Sequence, residues 1–167
     1  MFTQLYLSPV GQLLLTADDT ALVALHFCDK GRSCFLSDDA AFTDHAILQA
    51  AKQWLDVYFS GQEPNFMPPL RPVGTDFQQE VWQLLHAIPY GKTTTYGEIA
   101  AALAARHGIP RMSAQAVGGA VGHNPIPIFI PCHRVVGSGG KLTGYSGGLE
   151  KKQFLLSNEH IVLPHYS

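Results

Sequence analysis

Between residues 64 and 74 the chain places Pro64, Pro68, Pro69, Pro72 and Gly74, and this stretch constrains the fold more than any other. Proline has no backbone N–H and its ring clashes with the preceding helical turn, so no helix continues through such a run. The stretch reads as a linker. It leaves an N-terminal region, residues 1–70, and a C-terminal region, residues 71–167. The two differ in charge: residues 1–70 carry three basic and eight acidic side chains, a balance of −5, and residues 71–167 carry eight basic and five acidic, a balance of +3. An acidic half joined to a basic half is the pattern expected when only one half meets a polyanion.

Before the linker, β-formers cluster over Gln12 to Thr16 and Ala21 to Phe27, with Pro9-Val10-Gly11 and Asp18-Asp19 as turns. This predicts two antiparallel strands, with room for a third. Ala46 to Phe59 then sets Ile47, Ala51, Trp54, Leu55 and Tyr58 at helical spacing, with Gly61 as the stop. The fold class is an α/β N-terminal domain, a small antiparallel sheet with a helix, followed by a mostly α C-terminal domain. In the latter, Thr75 with Gln78 forms a capping box for a helix over Asp76 to Ala87. Thr95 caps a second helix from Tyr96 to about Ala105. After the Gly108-Ile109-Pro110 break, Ser113 starts a third that runs to about Gly122. Two helices about a short break suggest helix-turn-helix.

The third of these helices is built of small residues, Ala114, Ala116, Val117, Gly118, Gly119, Ala120, Val121 and Gly122. Each interior glycine costs about 1 kcal/mol relative to alanine. Such a helix lies close to another backbone, either a neighbouring segment of the protein or a nucleic acid. Patterning alone leaves both open.

Reactive chemistry concentrates in Asn124 to Val136, NPIPIFIPCHRVV. The segment reads as an apolar extended strand that delivers Cys132 beside His133 and Arg134, groups able to activate a thiol. Neighbours on a strand face opposite ways, so the spacing does not guarantee a direct Cys–His contact and leaves room for a bridging water. Cys28, Cys34 and Cys132 are an odd set without CxxC spacing, which argues against a disulfide framework and for a reducing cytoplasm. No apolar run reaches bilayer length, and no secretory leader pattern opens the sequence. With 46% hydrophobic and 14% charged residues, disorder is excluded.

PCHRVV, preceded by Asn124-Pro125 and followed by Gly144-Tyr145-Ser146-Gly147-Gly148, resembles the O6-alkylguanine-DNA alkyltransferase family. The likeness runs from about Thr75 through the FQQEVWQLL helix, the Pro-Tyr-Gly-Lys turn, Thr-Tyr-Gly-Glu, AVGGAVGHNP and KQFLLSNE. It implies a suicide methyltransferase that repairs DNA by direct reversal. The alkyl group on O6 of guanine would pass to Cys132 once and irreversibly, with O4 of thymine as a second candidate source. His133 would take the thiol proton through a water, Glu159 would orient His133, and Tyr96 would donate a proton toward the leaving base. Asn124, Pro127, Arg134, Val135, Tyr145 and Ser146 would form the substrate pocket. Thr95, Arg111, Ser113, Ala114, Gln115, Ala116, Gly118, Gly119 and Gly122 would meet double-stranded DNA through its minor groove, with the target nucleotide flipped out.

No cofactor is implied; a monomer is expected because no interface signature stands out, no membrane association because no apolar run spans a bilayer, and the location expected is cytoplasmic (nuclear in a eukaryote), with no metal expected from the donor spacing. Two departures stand out. Gln115 occupies a position where much of the family has an arginine, which predicts weaker DNA binding. The donors His26, Cys28, Cys34 and His86 are wrongly spaced for the structural zinc that some members hold. Competing readings are a non-catalytic lesion sensor, which Cys132 opposes, a thiol hydrolase, which would turn over, and a helix-turn-helix regulator, for which no ligand domain is visible.

Overall fold

The computed structural model describes residues 1–28 and 45–163, which form two compact units, Met1–Val73 and Gly74–Ser167. In the first unit, three strands make one antiparallel sheet in the order β1 (Phe2–Ser8), β2 (Gly11–Ala17), β3 (Leu22–Cys28). The third strand, allowed but not required by the sequence, is therefore present. On β2, Leu13, Leu15 and Ala17 alternate inward with no exposure, as period-2 patterning demands. They meet α1 (Ala46–Phe59), which buries Leu48, Ala51, Trp54, Leu55 and Tyr58. The proline-rich segment is not loose throughout. Leu22 N–H donates to the Pro69 carbonyl at 2.8 Å and Arg71 N–H to the Leu22 carbonyl at 2.9 Å, so this part docks on β3.

Cys28, at the end of β3, is disulfide-bonded while Cys132 is free, a single pairing and not the framework that the odd cysteine set argues against. An odd number of cysteines excludes only complete pairing. Cys34 lies outside the described residues.

The second unit begins at Gly74, where a side chain would come within 2.4 Å of the Trp82 ring. Its elements are α2 (Asp76–His86), β4 (Thr94–Thr95), α3 (Tyr96–His107), α4 (Ala114–Gly122), β5 (Val135–Val136) and α5 (Leu149–Asn158). Thr75 and Thr95 both form complete capping boxes, with Gln78 and Glu98. Helix α3 runs two residues beyond the sequence estimate because Gly108 closes it in the left-handed conformation, φ 65°, which glycine adopts without steric cost. Buried Trp82 donates from Nε1 to the Ala120 carbonyl at 2.9 Å, fixing α4 on α2. The two-residue strands β4 and β5 pair in parallel, Thr94 with Val135 and Thr95 with Val136. That pairing sets the N-terminus of α3, and hence Tyr96, alongside the Cys132 segment.

Residues 124–131 are not the extended strand expected. Ile130 N–H donates back to the Ile126 carbonyl at 2.9 Å, and Ile128 sits at φ 75°, a strained conformation for a β-branched residue. Pro125, Pro127 and Pro131 remove the donors a ladder needs. The Asn124 side chain compensates, accepting from Ile126 N–H at 3.0 Å and donating to the Ile130 carbonyl at 2.7 Å. The chain then enters a 3-10 turn over Cys132–Arg134.

Candidate active site

In a 3-10 turn successive side chains diverge by a third of a revolution, so the turn sends Cys132, His133 and Arg134 in different directions, all three buried. Cys132 lines a cavity of about 620 Å³ that also takes Tyr96 from the start of α3, Gln115 and Gly118 from α4, and Thr143, Tyr145 and Ser146 from the loop before α5. His133 points instead to Glu159, the C-cap of α5, bonding the carboxylate through Nε2. Both are nearly inaccessible, at 0% and 2% exposure. Arg134 joins the same carboxylate through Nε at 2.8 Å and donates to the Ile88 carbonyl at 2.7 Å. Gly91 N–H adds a further bond at 3.1 Å. Three donors, one of them a guanidinium, thus compensate a charge that burial alone would make very costly.

Burial pushes the Cys132 thiol up to about 11, against hydrogen bonding from Asn124, the charge of Lys152 and hydrogen bonding from Tyr145. Burial likewise holds His133 below the ordinary imidazole range, although Glu159 pulls the other way. At neutral pH the resting pair is therefore thiol plus neutral imidazole. A neutral imidazole with one nitrogen held by a carboxylate is set up to accept a proton.

Lys152 was not singled out by the sequence reading. It is fully buried, and its ammonium donates to the carbonyls of Thr143 at 2.6 Å and Gly144 at 3.3 Å. Burial lowers it to about 8, partly offset by Cys132. The signal was a lysine facing inward on a helix otherwise buried through Leu155 and Leu156, visible only once the helix face is known.

The other predicted residues divide. Asn124 is buried between the end of α4 and the turning loop. Pro127, Arg134 and Val135 are buried and do not line the cavity with Cys132. For Arg134 the geometry is that of a structural ion pair. The Thr95 hydroxyl accepts from Glu98 N–H at 3.1 Å, and that of Ser113 from Ala116 N–H at 3.1 Å, so both cap helices. Arg111, Ala114, Gln115, Ala116, Gly119 and Gly122 are exposed. A side chain added at Gly119 or Gly122 would meet nothing within 4 Å. The small outer face of α4 is thus not required by packing within the protein. Among the described residues no group of three or more His, Cys, Asp or Glu is placed to hold a metal ion.

Comparison with known proteins follows the same division. The family model of the 6-O-methylguanine DNA methyltransferase DNA binding domain matches residues 76–161, and that of the ribonuclease-like domain residues 1–72. A methylated-DNA–protein-cysteine methyltransferase of Methanosarcina acetivorans is 43% identical over 95% of this chain and 98% of its own. One from Haemophilus influenzae is 43% identical over 93% and 84%. The crystal structure of Mycobacterium tuberculosis OGT in complex with DNA superposes with a TM-score of 0.78 at 42% identity, covering 95% of this chain and 92% of that one.

Proposed function

The chain belongs to the 6-O-methylguanine DNA methyltransferase family, and from that premise we infer that it repairs alkylated DNA by direct reversal, as a methylated-DNA–protein-cysteine S-methyltransferase. The observation that carries this reading is the placement of Cys132 in a cavity walled by Tyr96, Tyr145 and Ser146, with the exposed small-residue helix α4 contributing Gln115 and Gly118. A base swung out of a duplex fits such a cavity, and the duplex fits the bare outer face of α4. The openness at Gly119 and Gly122 supports a minor-groove approach that bulkier side chains would block.

The step is a displacement at the alkyl carbon. The Cys132 thiol loses its proton to His133 through a water, and the sulfur attacks. The S–C bond forms as the C–O6 bond breaks. The electron pair of that bond leaves on guanine, where Tyr96 supplies a proton; the His133 imidazolium then releases its proton to solvent and the Tyr96 phenolate takes one up, so that the net change is one proton lost by the thiol and one gained by the restored guanine. Glu159 holds the imidazole and balances its positive charge, the cysteine–histidine–acid arrangement applied to a saturated carbon. Lys152 and the Asn124 amide stabilise the thiolate as it forms. A thioether is not hydrolysed under these conditions, so each molecule acts once and needs no cofactor. Arg111, Ser113 and Gln115 would flank the DNA. The C-terminal unit from Gly74 is the DNA-binding and alkyl-acceptor domain in this reading, three residues later than the boundary expected from the sequence.

Peptide mass spectrometry after mixing with duplex DNA carrying one O6-methylguanine tests the reading. One methyl on the Cys132 peptide, saturating at one per protein and absent in Cys132→Ser, is the expected result. Lesion binding without a mass change would make the protein a sensor instead. Repeated turnover of ester or amide substrates would make it a hydrolase.

A further inference from the structure

The cavity contains a polar side chain to which the reaction above gives no part. Thr143 lies in the loop between Val136 and α5 and lines the cavity together with Tyr96 and Cys132. Its hydroxyl donates toward the Tyr96 phenol oxygen at 3.5 Å, a long bond of the kind that shortens when a substrate closes the site.

Three further contacts fix where the two side chains point. The Thr143 carbonyl accepts from buried Lys152 at 2.6 Å, which anchors the backbone. The Thr143 methyl lies against Gly137, where an added side chain would approach it to 3.1 Å; the methyl is therefore held there and the hydroxyl faces Tyr96. On the far side, the Tyr96 ring edge lies 3.9 Å from the position a side chain at Gly118 would occupy, so the ring is bounded by the helix that also walls the cavity.

A phenol has a single proton and donates it in one direction. When Thr143 donates to the phenol oxygen, that proton cannot be turned back toward Thr143. It is left for the cavity, and charge gathering on the phenol oxygen as the proton departs meets a donor. We propose that Thr143 is a positioning residue for the proton donor: its hydroxyl orients the Tyr96 O–H toward the leaving base. This inference rests on the alkyl-transfer reading and adds to it a residue that acts through Tyr96.

The test is single-turnover methyl transfer from duplex O6-methylguanine DNA, with DNA affinity measured in parallel. Thr143→Val keeps the branched shape and the methyl against Gly137 while removing the hydroxyl. It should slow transfer about 3- to 10-fold, the effect of one neutral hydrogen bond, with DNA affinity unchanged. Thr143→Ser should return the rate to within about twofold of the parent. In a Tyr96→Phe background, Thr143→Val should have no further effect. An unchanged rate in Thr143→Val, or a loss that persists undiminished beside Tyr96→Phe, would overturn the inference. A parent protein that transfers no methyl would instead overturn the reading beneath it, so the two failures are distinguishable. Thermal unfolding of Thr143→Val and Thr143→Ser separates a folding defect from a rate effect, and a Thr143→Ser variant that is folded but slow would also count against the proposal.

Discussion

The two units bury different things. Among the described residues of Met1–Val73 the buried side chains are apolar, apart from the hydroxyl of Tyr58 and the indole N–H of Trp54: Leu13, Leu15, Leu22, Leu25, Leu48, Trp54 and Leu55 fill the space between sheet and helix. In Gly74–Ser167 the buried set also contains Asn124, His133, Arg134, Lys152 and Glu159, the buried amide, imidazole and charged side chains among the described residues. Burying charge is rarely a route to stability, since an apolar replacement of the same shape often does as well or better. The five converge on the segment that bears Cys132. What the difference teaches is that the first unit's interior is explained by folding, whereas the second unit's interior is explained by the chemistry of one thiol.

That contrast can be broken. Glu159→Gln strands Arg134 and loosens His133; we expect a loss of about 3–5 kcal/mol in urea unfolding. Methyl transfer should fall by about 100- to 10⁴-fold, the upper figure being the loss seen when the acid of a nucleophile–histidine–acid triad is neutralised. If transfer survives near the parent rate, the buried cluster is structural only. Leu55→Ala in the first unit should cost a comparable 2–5 kcal/mol while the transfer rate of the folded protein stays unchanged. A matching loss of rate would erase the distinction between the units.

Smaller effects sharpen it. Lys152→Met removes a cation that favours the thiolate, so the Cys132 thiol should move further upward from about 11, and transfer should slow by about 10-fold; iodoacetamide reactivity against pH reads the first and single-turnover kinetics the second. Gly119→Leu should leave thermal stability the same or higher, since the position is open and glycine is a poor helix former, yet weaken duplex binding. Binding at parent strength would remove α4 from the DNA interface. The smallest change is expected for Gln115→Arg, a severalfold gain in duplex affinity that shrinks with added salt.

Much of this was legible in the sequence. Helix α1 and both capping boxes follow from periodicity and local hydrogen-bonding chemistry, which need no tertiary context. The NPIPIFIPC segment was misread as extended because apolar composition suggests a strand, while its alternating prolines deny the ladder and the Asn124 side chain supplies turn bonds instead. Cys132, His133, Tyr96 and Glu159 were named through a family resemblance; residue spacing alone could not bring Glu159, 26 residues further on, to His133. Lys152 and Thr143 escaped notice because a lysine on a helix and a threonine in a loop look like surface residues until α5 and its preceding loop fold over the cavity.

The central claim is that a thiol held unreactive by burial is activated by its own neighbours and not by solvent hydroxide. Single-turnover methyl transfer measured from pH 5 to 9 tests it most directly. His133 is held below the ordinary imidazole range and accepts the thiol proton only when neutral, so the rate should rise through the acid region to a plateau by neutral pH. It should then ease downward as Lys152, at about 8, loses its charge. A rate that climbs about tenfold per pH unit from 7 to 9, the slope of simple thiol ionisation, would contradict the account and leave His133, Glu159 and Lys152 without a part in the reaction.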